Sequence, residues 1–367
     1  MTNRLIATYR VRSDAKSIAA RAKAIAVEQS VEMPLEAIDD AAIHTDIVGR
    51  VEAIGDRGDG SFTVRIGLAT ATTGPEVGQL INMMFGNTSI HDDVTFEDVE
   101  LPPAMLAAFA GPRFGTAGLR ARVGAAGRAM TCTALKPQGL PTARLADLAR
   151  RFALAGIDYI KDDHGLADQA YSPYAERVPA IAAATAAAAR ETGRQTRYLP
   201  SLSGDLDALR RQVAIARDCG LDTVLIAPMV VGLPSLHALV RGNPDVAFVA
   251  HPAFGGAARV APPLLFGKLF RLFGADATIF TNYAGRFRYP PETCRALADA
   301  ARGAWGGLKP CVPVPAGGMT PDRVPEMLDF YGRDVMLLIG GALLAARERL
   351  TEETAAFQRT VERHAYR

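Results

Sequence analysis

The sequence predicts an α/β protein in which a small ferredoxin-like α+β domain, residues 1–122, precedes a (β/α)8 barrel, residues 123–367. From about residue 130 onward, short apolar runs alternate with amphipathic helical segments, and about eight such units follow one another. Before residue 120 the order is instead strand, helix, two strands, helix and strand, as in a small α+β sandwich. A doubly wound open sheet is the alternative for the second part, but no GxGxxG motif opens its first unit.

The first domain should contain four strands and two helices. The strands are predicted at about 5–11, 45–54, 61–69 and 95–101. The helices are predicted at about 14–27, which is rich in alanine, and from about Pro75 onward. Glycine and aspartate at 55–60 predict a hairpin turn between the second and third strands.

The barrel strands are each short and apolar. They are predicted at 130–136, 157–161, 197–202, 223–228, 246–251, 277–281, 311–315 and 335–339. Amphipathic helices such as 206–219 and 321–331 lie between them. In such a barrel the carboxyl ends of the strands form one face, where active sites lie. The residues that follow each strand are therefore the candidates for function.

Composition excludes several classes of protein. The 367 residues are 49% hydrophobic and 22% charged, with a net charge of +2 and no lysine- or arginine-rich tract, so nucleic acid is not an expected partner. The four cysteines are scattered without CxxC spacing, which predicts buried thiols in a reducing cytoplasm. No segment has the pattern of a signal peptide or a membrane span. We therefore expect a cytoplasmic protein without a membrane partner.

The most informative segment is 156–168, where an apolar strand ends in Lys161, Asp162, Asp163 and His164, followed by a glycine. Because side chains alternate along a strand, Lys161 and Asp163 should share one face and Asp162 should point the other way. Lys161, Asp163 and His164 together are candidate metal ligands, and Asp162 is expected to be structural. A solvated strand end without function is the alternative.

Three other strand ends carry candidate residues. Lys136 follows the first barrel strand and is a candidate proton donor, base or anion partner. His251 follows the fifth, where a catalytic or binding role competes with simple packing in the core. Arg286 follows the sixth and is either a ligand for an anion or an ordinary surface residue.

Paired glycines follow the last two barrel strands. These are Gly317 and Gly318 after the seventh strand, and Gly340 and Gly341 after the eighth. Without side chains, such residues let backbone N–H groups face a phosphate close to a helix N-terminus. One pair is compatible with a tight turn, whereas two pairs at consecutive strand ends favour a phosphate site.

In this order, the strand ends resemble those of the RuBisCO large subunit, and specifically the RuBisCO-like proteins of form IV. The stretch 156–163, Gly-Ile-Asp-Tyr-Ile-Lys-Asp-Asp, is similar to the family's Gly-Gly-Leu-Asp-Phe-Thr-Lys-Asp-Asp-Glu. The resemblance implies that CO2 carbamylates Lys161, that the carbamate and Asp163 bind Mg2+, and that His164 replaces the glutamate ligand. Lys136 matches a lysine that acts in enolisation, and Gln138 replaces a second lysine and is a candidate substrate ligand.

The resemblance also extends to substrate and partner. His251 matches a family histidine, but Pro252 and Ala316 replace an arginine and a serine of the second phosphate site. The two glycine pairs match the first phosphate site, so one phosphate is retained and one lost. Glu28 and Asn87 match residues that reach the neighbouring subunit's site, which implies a homodimer with shared active sites.

These departures argue against CO2 fixation. His164 offers nitrogen, which Mg2+ disfavours, so Mn2+ or another divalent ion is a possible replacement, or His164 acts as an acid/base group. The resemblance implies enolisation of a monophosphorylated ketose, leading to isomerisation of the 5-methylthioribulose 1-phosphate type. The alternatives are decarboxylation of a 3-oxo sugar-acid phosphate in apionate-type catabolism, a 2,3-diketo-5-methylthiopentyl-1-phosphate enolase, and a non-catalytic barrel that binds a sugar phosphate.

Overall fold

The computed structural model describes residues 3–285 and 289–366. The chain forms two compact units. The first consists of Met1–Ala110, Phe254–Leu265 and Trp305–Leu308, and the second of Gly111–Ala253, Phe266–Ala304 and Lys309–Arg367. A domain boundary at residues 122 and 123 remains a prediction.

The first unit is built on a four-stranded antiparallel sheet with the order β2-β3-β1-β4. Its strands are β1 Arg4–Arg12, β2 Arg50–Asp56, β3 Ser61–Ala69 and β4 Val94–Glu100. Its helices are α1 Ile18–Glu28, α2 Thr70–Thr73, α3 Val77–Phe85 and α4 Pro103–Phe109. In β1 alternate residues, among them Leu5 and Tyr9, are buried, as expected for a strand with one face on a core.

One prediction for this unit was wrong in part. The first half of the strand predicted at 45–54 is a π-helix, Ile43–Ile47, and the strand begins only at Arg50. Arg4 explains the difference, because its guanidinium donates to the carbonyls of Thr45, Asp46 and Val48 at 3.0–3.3 Å. These carbonyls are thus bound to a side chain instead of a neighbouring strand. The helix predicted from about Pro75 is confirmed as α3, and the short helix α2 precedes it as an element that was not predicted.

The second unit contains the barrel. Its strands are β5 Met130–Leu135, β6 Tyr159–Asp162, β7 Arg197–Leu199, β8 Ser201–Leu202, β9 Thr223–Ile226, β10 Ala247–Ala250, β11 Ala277–Thr281, β12 Val312–Ala316 and β13 Met336–Leu338. All their pairings are parallel. Each predicted barrel strand is confirmed to within two residues at either end, but Pro200 divides the third into β7 and β8.

Helices connect these strands. They are α5 Gly115–Arg122, α6 Thr142–Leu154, α7 Tyr174–Thr192, α8 Leu206–Asp218, α9 Pro228–Val231, α10 Leu233–Gly242, α11 Phe270–Leu272, α12 Pro291–Arg302, α13 Val324–Tyr331, α14 Gly341–Leu344 and α15 Leu350–Arg363. Across residues 3–285 and 289–366, none of the helices has the length and apolar character needed to cross a membrane.

The strands close into a ring of eight positions: β5, β6, β7 with β8, β9, β10, β11, β12 and β13, which again pairs with β5. Inward-facing side chains fill the barrel, as shown by the buried core residues Cys132, Tyr159, Val249, Val314 and Leu338. Because side chains alternate, the next inward positions lie two residues further along each strand. They bring the candidate residues to the carboxyl end of the barrel.

Candidate active site

Lys161 lies at the end of β6 and continues the inward register of Tyr159. It is 3% exposed, and its Nζ donates to the carbonyl of Asp162 at 2.9 Å. Burial lowers the pKa of the Lys161 ammonium, and the negative charge of Asp163 offsets this only in part. Burial therefore favours the neutral amine, which is the form that can react with CO2.

Asp163 follows on the same strand end and is held by three side chains. Lys136 Nζ lies 2.8 Å from its Oδ1, His164 Nδ1 lies 3.4 Å from the same oxygen, and Gln138 Nε2 donates to Oδ2 at 3.3 Å. Burial would raise the pKa of this carboxyl, but the hydrogen bonds from His164 and Lys136 and the charges of Lys161 and Lys136 lower it well below its usual range. Asp163 is therefore a carboxylate at all ordinary pH values, as a metal ligand must be.

His164 and His251 form a stacked pair. Their ring centroids are 4.2 Å apart and their planes differ by 12°. Burial is the main cause that lowers the pKa of His251 to about 2, and an ammonium at Lys161 would add to this effect, so the His251 ring is neutral. The backbone N–H of Ala253 donates to His251 Nδ1 at 3.1 Å, which leaves the proton of the neutral ring on Nε2. His251 is consequently a hydrogen-bond donor through Nε2.

Asp162 points away from the barrel interior, as the alternation of strand side chains predicts. Its carboxylate is fully buried and accepts from Tyr198 Oη at 2.8 Å and from the backbone N–H of Ser201 at 3.1 Å, and Arg177 Nε lies 3.3 Å away. Arg177 also donates to the carbonyls of Ser172 and Ala167 in the segment after β6. These bonds fix the backbone between the two candidate ligands Lys161 and Asp163.

Gln138 contacts Asp163 from the end of β5, and this contact depends on Gly165. A Cβ atom on Gly165 would lie 1.7 Å from Gln138 Nε2. The absence of a side chain at Gly165 thus makes room for the Gln138 amide. Whether Gln138 also binds substrate remains a prediction.

The glycine pairs lie at the ends of two neighbouring strands. Gly317 and Gly318 follow β12 and have φ values of 87° and 76°, which favour glycine. Gly340 and Gly341 follow β13, which lies beside β12. Both pairs are therefore at the same end of the barrel as Lys161. Phosphate binding by their amides remains a prediction.

The structure also joins two of the predicted residues of the first unit. Asn87 Nδ2 donates to Glu28 Oε1 at 2.9 Å and to Glu32 Oε1 at 3.0 Å. Their proposed contact with a partner's site remains a prediction. Arg286, the candidate anion ligand after β11, lies outside the described residues.

The donor set fits a divalent metal ion only when Lys161 takes part. Within residues 3–285 and 289–366, no three or more histidine, cysteine, aspartate or glutamate side chains form a metal-binding group. Asp163 and His164 provide two donors, one oxygen and one nitrogen, side by side. Carbamylation would turn the adjacent Lys161 into a third, anionic oxygen donor. Two oxygen donors and one nitrogen suit Mn2+ or a similar ion at least as well as Mg2+.

Sequence reasoning missed the supporting residues Arg177, Tyr198 and Gly165, and the stacking of His164 on His251. Arg177 lies on the buried face of α7, and this position is the signal by which it could have been found, because a buried guanidinium needs a carboxylate partner. The stacking carries no signal in the sequence. It depends on how two segments far apart in the chain meet.

Known proteins share both the sequence and the fold of this chain. The family model described as Ribulose bisphosphate carboxylase large chain, catalytic domain, matches residues 115–347. The 5-methylthioribulose-1-phosphate isomerase of Rhodospirillum rubrum is 64% identical, with 98% of this chain and 97% of that protein aligned. The 2,3-diketo-5-methylthiopentyl-1-phosphate enolase of Geobacillus thermodenitrificans is 31% identical, with 92% of this chain and 87% of that protein aligned.

The solved structure of a RuBisCO-like protein from Rhodopseudomonas palustris superimposes with a TM-score of 0.94 at 52% identity, and the match covers 100% of both chains. The predicted fold, a barrel preceded by an α+β domain, is confirmed by this similarity. The family model spans more than half of the chain, and the relatives align over nearly all of it. The chain therefore belongs to the RuBisCO large-chain family, and within it to the RuBisCO-like proteins.

Proposed function

We propose that this protein is an isomerase of 5-methylthioribulose 1-phosphate and does not fix CO2. The observation that carries the proposal is the convergence of Lys136, Lys161, Asp163 and His251 on one end of the barrel. Such a site can remove a proton next to a carbonyl and return it to another carbon. The 64% identical relative that bears this name supports the choice of substrate.

Lys136 and His251 divide the proton chemistry between them. Because His251 Nδ1 already accepts the Ala253 N–H, its Nε2–H is placed to donate to a substrate oxygen and so to stabilise negative charge there. With Nδ1 already accepting this hydrogen bond and Nε2 carrying the proton, the neutral His251 ring has no free nitrogen to accept a proton, which leaves Lys136 as the group that moves it. Lys136 is also positioned, since its Nζ is 2.8 Å from Asp163 Oδ1.

Lys161, Asp163 and His164 would hold the metal ion. When bound, a divalent ion supplies positive charge that polarises the carbonyl and favours the enediolate form of the substrate. Lys161 serves this site as a carbamate, for which its burial favours the required neutral amine. Mn2+ or Mg2+ is the expected ion, and the nitrogen of His164 favours the former.

The remaining parts of the proposal concern anchoring, assembly and location. The amides of the two glycine pairs bind the single phosphate of the substrate. The protein is a homodimer in which Glu28 and Asn87 serve the partner's site. A cytoplasmic location agrees with the four free cysteines, Cys132, Cys219, Cys294 and Cys311.

The test is NMR spectroscopy of the purified protein in D2O with 5-methylthioribulose 1-phosphate, bicarbonate and Mg2+ or Mn2+. We expect conversion to an isomer with deuterium at the carbon that receives the proton. Lys161→Ala should abolish conversion, and Lys136→Met should slow it about a hundred- to ten-thousand-fold. Full activity in Lys161→Ala would refute the role of the carbamate.

The enolase reaction is the second candidate, because a 31% identical relative bears that name. Supplying 2,3-diketo-5-methylthiopentyl 1-phosphate in the same experiment separates the two reactions. Rapid enolisation of this diketone without isomerisation of the ketose would replace the proposed function. Release of CO2 from a 3-oxo sugar-acid phosphate would instead identify a decarboxylase. Calorimetry with metal and bicarbonate that gives no heat would favour a non-catalytic barrel.

A further inference from the structure

The carboxyl end of the barrel has chemically distinct sectors. Charged residues follow β5 and β6, where Lys136 and Asp163 lie, and glycine pairs follow β12 and β13. The sector at the ends of β9 and β10 is different. No charged side chain occurs in residues 227–236 or in residues 252–258.

The side chains in this sector are apolar and accessible. Ala227 occupies the next inward position after the core residue Leu225 and is partly exposed. Val230 in α9 is 62% exposed. After β10, Pro252 and Ala253 are partly exposed. We call residues 227–231 together with 252–253 the apolar sector.

The two segments of the apolar sector are neighbours. In the parallel register of β9 and β10, Ile226 pairs with Ala250, and the N–H of His251 donates to the carbonyl of Ile226 at 2.7 Å. Ala227 therefore lies beside His251, and Pro252 follows His251 directly. The sector is thus continuous with the residue to which we assign a hydrogen bond to the substrate.

Strand order places the apolar sector across the barrel from a glycine pair. When β5 is counted as the first of the eight positions in the ring, β9 occupies the fourth and β13 the eighth. Positions four apart in an eight-stranded barrel face each other. A ligand whose phosphate lies at the Gly340 and Gly341 amides and which extends across the barrel therefore ends at β9 and its neighbour β10.

We propose that the apolar sector binds the methylthio end of the substrate and so selects it against sugars with a hydroxyl or phosphate at the same carbon. This inference rests on the proposed function, which supplies a substrate with phosphate at one end and a methylthio group at the other. A methylthio group gains from contact with apolar side chains, whereas a hydroxyl or phosphate would lose hydrogen bonds with water there.

The test compares two unreactive probes by calorimetry, 5-(methylthio)pentyl phosphate and 5-hydroxypentyl phosphate. They share the phosphate and the chain and differ only at the far end. We expect the methylthio probe to bind wild-type protein about tenfold or more tightly. Val230→Asp should remove most of this preference, and Val230→Thr, which keeps the shape of the side chain, should reduce it.

Ala186→Asp is the matched control, because Ala186 is exposed on α7 and the substitution adds the same charge outside the barrel. It should keep the wild-type preference. If Val230→Asp misfolds, Val230→Thr decides the outcome. Equal binding of the two probes to wild-type protein, or an unchanged preference in both Val230 variants, would overturn the inference.

Kinetic measurement separates this inference from the proposed function. The ratio of kcat/KM for 5-methylthioribulose 1-phosphate to that for ribulose 1-phosphate should fall about tenfold or more in Val230→Asp. A wild-type protein that selects the methylthio probe but does not isomerise the sugar would refute the proposed function alone. Isomerisation with an unchanged ratio in the variant would refute the apolar sector alone.

Discussion

At the scale of single residues, His164 is the feature that most distinguishes this site. Its Nδ1 lies 3.4 Å from Asp163 Oδ1, and its ring is stacked on His251. The ring plane is thereby fixed with one nitrogen beside the carboxylate. In the proposed metal site, a nitrogen at this place would change which metal ions are preferred.

We predict that His164→Glu shifts the preference from Mn2+ toward Mg2+. An oxygen donor and an additional negative charge suit the harder ion, so the ratio of the two dissociation constants should change about tenfold or more. Calorimetry with each ion in the presence of bicarbonate measures this. His91→Glu, at an exposed histidine of the first unit, makes the same change in charge and should have no effect. An unchanged ratio in His164→Glu would mean that His164 does not touch the metal.

The buried Lys161 should make stability depend on pH. Its pKa in the folded protein is lowered from 10.5, so below that pH the unfolded chain binds more protons than the folded one. Stability therefore falls as the pH decreases from about 10.5 toward the folded pKa. Lys161→Met removes this penalty, and we expect the Tm at pH 7 to rise by roughly 2–4 °C without bicarbonate.

The increase in Tm caused by Lys161→Met should become smaller as the pH approaches 10.5, where Lys161 is increasingly neutral in both the folded and the unfolded state. Calorimetric scans between pH 7 and pH 10 measure the difference. Lys23→Met, at an exposed lysine, is the control and should change Tm little at any pH. An increase in Tm that becomes larger with rising pH would contradict the lowered pKa of Lys161.

Gly165 makes room for the Gln138 side chain beside Asp163, and a substitution can test this role. Gly165→Ala places a methyl group where the end of the Gln138 side chain now lies, so Gln138 should move away from Asp163. Because a flexible side chain gives way, we expect the free energy of unfolding to change by about 0.5 kcal/mol or less. Activity should fall as it does in Gln138→Ala. Additive effects in the double variant would show that the two residues act independently.

At the scale of elements, the Asp162 carboxylate ties β6 to α7 and β7 through Arg177 and Tyr198. We predict that Tyr198→Phe lowers the free energy of unfolding by about 1–2 kcal/mol. It should also weaken metal binding about tenfold, because the backbone between Lys161 and Asp163 is no longer fixed. Denaturant unfolding and calorimetry measure the two effects.

Tyr174→Phe is the matched control for Tyr198→Phe. Tyr174 is also buried and lies beside Arg177, but its hydroxyl donates to the backbone carbonyl of Gln212 at 3.2 Å and not to Asp162. We expect a similar loss of stability with unchanged metal binding. Equal weakening of metal binding in both variants would indicate a general loosening of the barrel instead of a positioning role for Tyr198.

The sequence allowed the elements to be predicted wherever local pattern decides the structure. The apolar runs of the barrel strands and the polar residues after β6 were sufficient to place Lys161 and Asp163 together and Asp162 apart. The pattern failed at 45–49, where Arg4, about forty residues earlier in the chain, binds the carbonyls. It also failed at Pro200, whose ring removes one N–H from an otherwise continuous strand. Both outcomes depend on partners or backbone groups that hydrophobic periodicity does not describe.

At the scale of the whole molecule, the proposed homodimer can be tested by complementation. Lys161→Ala removes the barrel site, whereas Asn87→Ala removes a contribution to the partner's site. A mixed dimer of the two variants then carries one intact site and one doubly damaged site. After unfolding and refolding of an equal mixture, about a quarter of wild-type activity should return. Activity no higher than the mean of the separate variants would exclude a shared site.

Pro200 interrupts the strand pairing that otherwise runs around the barrel. In the described strands, ladder hydrogen bonds join β13, β5, β6 and β7 into one half and β8 to β12 into the other. The two halves meet at two seams, one at Pro200 and one between β12 and β13. Lys161 and His164 belong to one half and His251 to the other. At the Pro200 seam, however, the backbone N–H of Ser201 in β8 donates to the Asp162 carboxylate of β6, so a side chain bridges the two halves where the backbone ladder does not and braces His164 against His251.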